Sequence, residues 1–204
     1  MNYIGIDLGT SAVKLLLMQG DGKILKIVNR EYPISFPKPG WSQQNPEDWY
    51  QETMSGLQEL LADSDKSQVA GISFGGQMHG LVVLNDEDEV IRPAILWNDG
   101  RTAEESEYLN QVIGKETLSL YTANISFAGF TAPKILWMKK HEPENFAKIH
   151  KIMLPKDYLA YRLSGVHCSD VSDASGTLFF DVKNRCWSEQ MCKICGIKQE
   201  WLPK

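Results

Sequence analysis

Apolar and other residues alternate through Asn2-Tyr-Ile-Gly-Ile-Asp-Leu8, and the alternation returns over residues 13–19 and 24–32. A period of two marks strands with one buried face, so strands are predicted at residues 3–7, 13–19 and 24–32. Their short connections, Gly9-Thr10-Ser11 and Gly20-Asp21-Gly22, make the three an antiparallel meander. Residues 33–46 hold Pro33, Pro37, Pro39, Gly40 and Pro46 and read as a loop. Asn45-Pro46-Glu47-Asp48 then supplies a cap, a proline and two first-turn acids. Trp49, Met54, Leu57, Leu60 and Leu61 follow near helical spacing, which predicts a helix laying that stripe on the core.

Twice more a strand pattern ends in a polar run. Residues 69–74 (Val-Ala-Gly-Ile-Ser-Phe) predict a buried strand emptying into Gly75-Gly76-Gln77-Met78-His79-Gly80, ahead of another strand at 81–84. Residues 94–97 (Ala-Ile-Leu-Trp) empty into Asn98-Asp99-Gly100-Arg101-Thr102, and an acidic helix starts at Ala103. Ligands of α/β sheets lie beyond strand ends, so both runs are expected at one cleft. Helices are predicted at 115–121, 132–141 and 155–163, with a strand at 149–154. Asp170-Val-Ser-Asp173-Ala-Ser-Gly176-Thr177 fits a capped helix start or a serine-rich turn as well as a binding loop.

The 204 residues are 43 % hydrophobic, enough to fill a core. A net charge of −5 with interspersed signs gives no basic face for nucleic acid, which leaves small ligands as the expected partners. No signal-peptide pattern opens the chain and no apolar run nears the ~20 residues of a bilayer span, so no membrane partner and a cytoplasmic location are expected. Cys168, Cys186, Cys192 and Cys195 all lie in the last fifth of the chain. Cys192-Lys-Ile-Cys195 has the spacing of a redox or zinc site but lacks a second pair, which favours reduced cysteines packed in a helix.

The first hairpin carries the clearest candidate chemistry. Gly9 permits close backbone approach, Thr10 and Ser11 offer donors, Lys14 can reach a terminal phosphate, and Asp7 can hold a hydrated magnesium ion. A plain structural turn is the competing reading. His79 fits a general base, a substrate hydrogen-bond partner or a structural histidine. Trp97 fits a site wall or the core, and Asp99 and Arg101 fit ligand contacts or the start of the next helix.

The strand–Asp-x-Gly-Thr-Ser–strand opening with its third strand resembles the ribonuclease H-like half of the actin, sugar kinase and heat-shock chaperone superfamily. That resemblance implies an α/β, actin-like ATPase fold with a mixed sheet flanked by helices. Gly129-Phe-Thr131-Ala-Pro-Lys134-Ile-Leu-Trp137-Met-Lys-Lys140-His141 resembles the first signature of the FGGY carbohydrate kinases. Gln77-Met78-His79-Gly80 and Leu96-Trp97-Asn98-Asp99-x-Arg101-Thr102 resemble the xylulokinases of that family more than its glycerol kinases, which carry Arg-Glu at Met78-His79. Gluconate kinases typically carry serine at Gly80. Residues 155–165 and 172–177 also resemble the family, so the likeness covers essentially the whole chain.

The resemblance implies a kinase using ATP and magnesium to convert D-xylulose into D-xylulose 5-phosphate, with ribulose, fuculose, gluconate and glycerol as alternative substrates. Asp7 would hold magnesium through water, and Gly9, Thr10, Ser11 and Lys14 would cradle the phosphates. Gln77, Met78 and His79 would meet the sugar, Trp97 its carbon skeleton, and Asp99 or Arg101 its hydroxyls. Family members are longer, with two domains closing on a cleft. Residues 1–204 are therefore expected to be most of the N-terminal, sugar-binding domain. The catalytic aspartate and most of the adenosine pocket are expected beyond Lys204, and a homodimer is compatible. A nucleotide switch sharing the hairpin would have no reason to carry the 129–141 signature. A non-catalytic sugar-binding regulator would usually add a DNA-binding segment, and no basic helix-turn-helix precedes the hairpin here.

Overall fold

Ile4, Ile6 and Leu8 point to one side of β1 (Asn2–Leu8) and are buried, while Tyr3 and Asp7 point to the other and stay exposed. In the computed structural model, which describes Met1–Lys204, that alternation continues into β2 (Ala12–Gln19) and β3 (Ile24–Glu31). Both pairings are antiparallel, as the pattern predicts. After the two-residue β4 (Gln43–Gln44) comes α1 (Pro46–Leu60), with the Asn45 side chain accepting from the Glu47 amide and Pro46 in the first turn. β5 (Val69–Gly76) runs parallel to β1 and completes a mixed sheet ordered β3-β2-β1-β5.

Two expectations are corrected here. β5 lies at the sheet edge rather than being buried, and Ile72 is 46 % exposed. The buried positions of α1 are Pro46, Trp49, Thr53, Gly56 and Leu60, with Met54 and Leu57 only partly covered. The reason is distance: a Cβ on Gly56 would meet Leu15 Cδ1 at 2.5 Å, so small residues set how closely helix and sheet approach.

The chain continues through β6 (Val82–Leu84), β7 (Ala94–Ile95) and α2 (Ala103–Tyr108), then a π-helical segment, Leu109–Gly114, and α3 (Lys115–Thr122). Next come α4 (Thr131–His141), α5 (Pro143–Phe146), β8 (Lys151–Met153), which pairs with β6, and α6 (Pro155–Ser164). α7 (Val171–Ser175), a small ladder of β9 (Phe180–Asp181) and β10 (Cys186–Trp187), and α8 (Glu189–Cys195) complete it. One apolar core joins the sheet to α1 and α6 through Trp49 and Tyr158, and a second gathers α4, α8 and Phe179.

Asp170 caps α7 by accepting from the Ser172 and Asp173 amides, which is the helix-start reading of that segment. All four cysteines are free thiols. Cys192 and Cys195 are buried, and burial raises both, Cys192 to about 11, so each stays protonated as packing in and beside α8. No helix is long and apolar enough to cross a membrane.

Candidate active site

The β1–β2 turn is held from outside the hairpin. Gly9 donates its amide to Ala12 O at 3.0 Å, and the Tyr32 hydroxyl donates to Gly9 O. Burial, and then the charge of Asp7, raise the Tyr32 hydroxyl, so it remains a donor. Gln44 Nε2 donates to Thr10 O at 2.7 Å. The same side chain accepts, through Oε1, from Trp49 Nε1 and Gln77 Nε2, each at 3.1 Å. Gln77 also donates its amide to Leu8 O at 2.7 Å. One buried glutamine therefore ties the turn to α1 and to the end of β5. Asp7, Ser11 and Lys14 remain exposed, and Asp7 and Lys14 are direct partners across β1 and β2.

Past Gln77 the backbone makes its tightest reverse. Gly80 donates its amide to Met78 O at 2.7 Å and His79 sits at φ +62°, which together describe a γ-turn of the strained, positive-φ kind centred on His79. The His79 carbonyl is gripped by Thr131 Oγ1 at 3.2 Å and by Lys134 Nζ at 2.9 Å, both from the start of α4. Its ring lies 4.6 Å from Phe130, centroid to centroid, and its Nδ1 lies 3.0 Å from Gly176 O. A carbonyl only accepts, so the proton is on Nδ1 and Nε2 keeps its lone pair. Burial, then nearby Lys134, hold the imidazole below its ordinary value and keep it neutral. Met78, beside it, is about half exposed.

At the end of β7, the Trp97 indole N–H donates to Thr10 Oγ1 at 3.0 Å, and the ring remains 46 % exposed. Asp99 and Arg101 differ. Asp99 accepts from the Ser42 amide at 2.5 Å and from the Arg101 amide at 2.9 Å, and Arg101 Nη2 lies 2.8 Å from Asp99 Oδ2. Both side chains are sealed from solvent, and the guanidinium sits 3.8 Å from the Trp41 ring. As placed, the pair braces the Trp97 turn, with Arg101 Nη1 buried and left without a partner, and Asp99 does not cap the next helix.

The hydrogen bonds thus bring Thr10, Gln77 and Trp97 into one network, with the His79 turn following directly. Sequence reasoning missed Gln44, Tyr32, Lys134 and Gly176. Polar residues of these types in a loop, a strand end, a helix and a turn carry no periodic signal. Lys134 and Gly176 were named only as members of longer runs, the 129–141 signature and the small-residue segment 170–177.

For magnesium, which normally keeps several waters and takes one or two carboxylates plus phosphate oxygens, a single exposed Asp7 beside the turn is a fitting donor. No cluster of three or more His, Cys, Asp or Glu forms a protein-only metal cage.

Comparison with known proteins follows the same outline. Residues 2–204 match the profile of the FGGY family of carbohydrate kinases, N-terminal domain. The xylulose kinase of Escherichia coli is 43 % identical over 201 residues, covering 98 % of this chain and 41 % of that protein. The chain thus spans about two fifths of the length of the curated relatives it matches. A crystal structure of a "xyloylose kinase" from Brucella ovis superposes with a TM-score of 0.95 at 40 % identity, over 100 % of this chain and 43 % of that one. Gluconate kinase from Lactobacillus acidophilus reaches a TM-score of 0.94 at 28 % identity, again over 100 % of this chain and 41 % of its own.

Proposed function

The chain belongs to the FGGY family of carbohydrate kinases, and from that premise we propose that it forms the sugar-holding and phosphate-positioning part of an ATP-dependent kinase acting on D-xylulose. The product would be D-xylulose 5-phosphate, with ADP released. The observation that carries this reading is the network in which one glutamine, Gln44, bonds both the Thr10 turn and Gln77. It sets the turn suited to phosphate and the turn suited to sugar in fixed relation.

Phosphoryl transfer needs the acceptor hydroxyl in line with the γ-phosphate and cations against the developing charge. Thr10 and Ser11 supply amide and hydroxyl donors for the phosphates, Gly9, its own amide spent on Ala12 O, allows the close backbone approach, and Lys14 adds a positive charge. A magnesium ion on Asp7 would neutralise phosphate charge. Met78 and the Trp97 face give the sugar apolar surface, and neutral His79 presents Nε2 as an acceptor for a sugar hydroxyl. Asp99 acts indirectly, through the turn that carries Trp97. Both of its oxygens are already engaged, so Asp99 is not the base, and the resemblance to the family assigns the proton of the reacting hydroxyl to an aspartate outside these residues.

The test is ADP release by the full-length enzyme with magnesium-ATP and D-xylulose, D-ribulose, L-fuculose, gluconate or glycerol. Preference for D-xylulose supports the reading. Preference for another member of the panel retains the kinase and replaces the substrate, and no turnover with any would refute it.

A further inference from the structure

We propose that Lys134 is a positioning residue for the sugar: its amine, enclosed at the start of α4, holds the His79 turn in its strained form and so fixes where Met78 and His79 meet substrate. This deepens the sugar-kinase reading above and rests on it. Lys134 is wholly buried, a state lysines almost never reach without a carboxylate partner. Here the amine forms no ion pair. Asp99, Arg101 and His79 are its charged or titratable neighbours, and Asp99 acts on it only through space.

Its hydrogen bonds instead go to two carbonyls, those of His79 and Gly129. They belong to the two segments that frame the candidate sugar site. Gly129 abuts the Trp97 backbone so closely that a Cβ there would meet Trp97 O at 2.6 Å. One side chain therefore ties the sugar-facing turn to the segment packed under Trp97. A non-glycine residue in a positive-φ turn is strained and persists only where its surroundings over-determine it. The donors on His79 O are that constraint. Without them the peptide can relax to negative φ, which swings the ring off Gly176 O and away from Phe130. Burial brings the amine down to about 7, and even a neutral amine keeps two N–H donors for its two carbonyls.

The test is Lys134→Met in the full-length enzyme, read in two ways. Steady-state kinetics should show KM for the sugar rising about tenfold or more with KM for ATP changed less than about twofold. Nitrogen-15 NMR of His79 should show the Nδ1–H tautomer of the wild type giving way to a mixture. If Lys134→Met does not fold, Thr131→Val removes the other donor to the same carbonyl and should raise the sugar KM in the same direction, with Thr131→Ser restoring it. An unchanged sugar KM and His79 tautomer, or equal increases in both KM values, would overturn the proposal. A wild-type enzyme without sugar kinase activity would sink the functional reading alone, since the His79 spectrum still decides whether Lys134 holds the turn.

Discussion

The indole N–H of Trp97 donates to the hydroxyl of Thr10 at 3.0 Å, joining the end of β7 to the turn between β1 and β2. If Thr10 handles phosphate and Trp97 handles sugar, this bond makes the two subsites interdependent. Trp97→Phe keeps an aromatic face and removes the donor. Loss of a neutral hydrogen bond is worth about 1 kcal/mol, or about fivefold in affinity. Both the sugar and ATP KM values should rise, and an effect confined to the sugar would show the bond to be incidental.

Gly176→Ala addresses the histidine. A Cβ at that position would lie 2.3 Å from His79 Cε1 and 2.6 Å from Nδ1, so the ring must shift and its bond to Gly176 O is lost. The expected outcome is a rise of about tenfold in sugar KM with ATP KM little changed. A sugar KM equal to wild type would mean that Nε2 of His79 is not used on the substrate.

For Asp99, the sealed ion pair predicts a loss of stability rather than of recognition. Breaking a buried pair leaves an uncompensated charge and costs about 3–5 kcal/mol. Urea unfolding of Asp99→Asn should show that loss, while the folded enzyme keeps its sugar KM to within about twofold. The opposite pattern, full stability and a large rise in KM, would put Asp99 on the sugar after all.

Lys134 gives a pH signature. Its amine sits at about 7 when folded and at 10.5 when free, so between those values the unfolded chain binds more protons than the folded one. Stability must then rise with pH across that interval and gain nothing further from this group above it. Below pH 7 both states are protonated and the group's cost is fully felt. The stability difference between wild type and Lys134→Met should therefore shift in favour of wild type from pH 7 to 10. A difference independent of pH would mean that the amine keeps its ordinary affinity for protons.

The meander was legible because Ile4, Ile6 and Leu8 alternate with polar or small residues, and the Gly9-Thr10-Ser11 turn was legible because few residue sets close a hairpin and also donate toward an anion. The position of β5 was not, since an apolar run reads as buried whether a strand lies inside a sheet or at its edge. Lys134 was legible only as part of a motif. In a helix ending Lys139-Lys140-His141, nothing in the residue order marks one amine as turned inward. The turn at His79 was invisible for a related reason, because its positive φ is imposed by donors from Thr131 and Lys134, more than fifty positions away. Gln44, too, acts through four partners, Thr10, Pro33, Trp49 and Gln77, that its side chain meets only after folding.

Of the six tryptophans, Trp97 alone is exposed, nearly half of it open to solvent, and its indole is anchored to the Thr10 hydroxyl. The chain therefore carries its own optical reporter. Emission from the other five comes from covered or partly covered rings, so a change in colour or in quenching by a soluble collider is weighted toward Trp97. Occupancy of the turn can then be followed in real time, without a label and without waiting for a product to form.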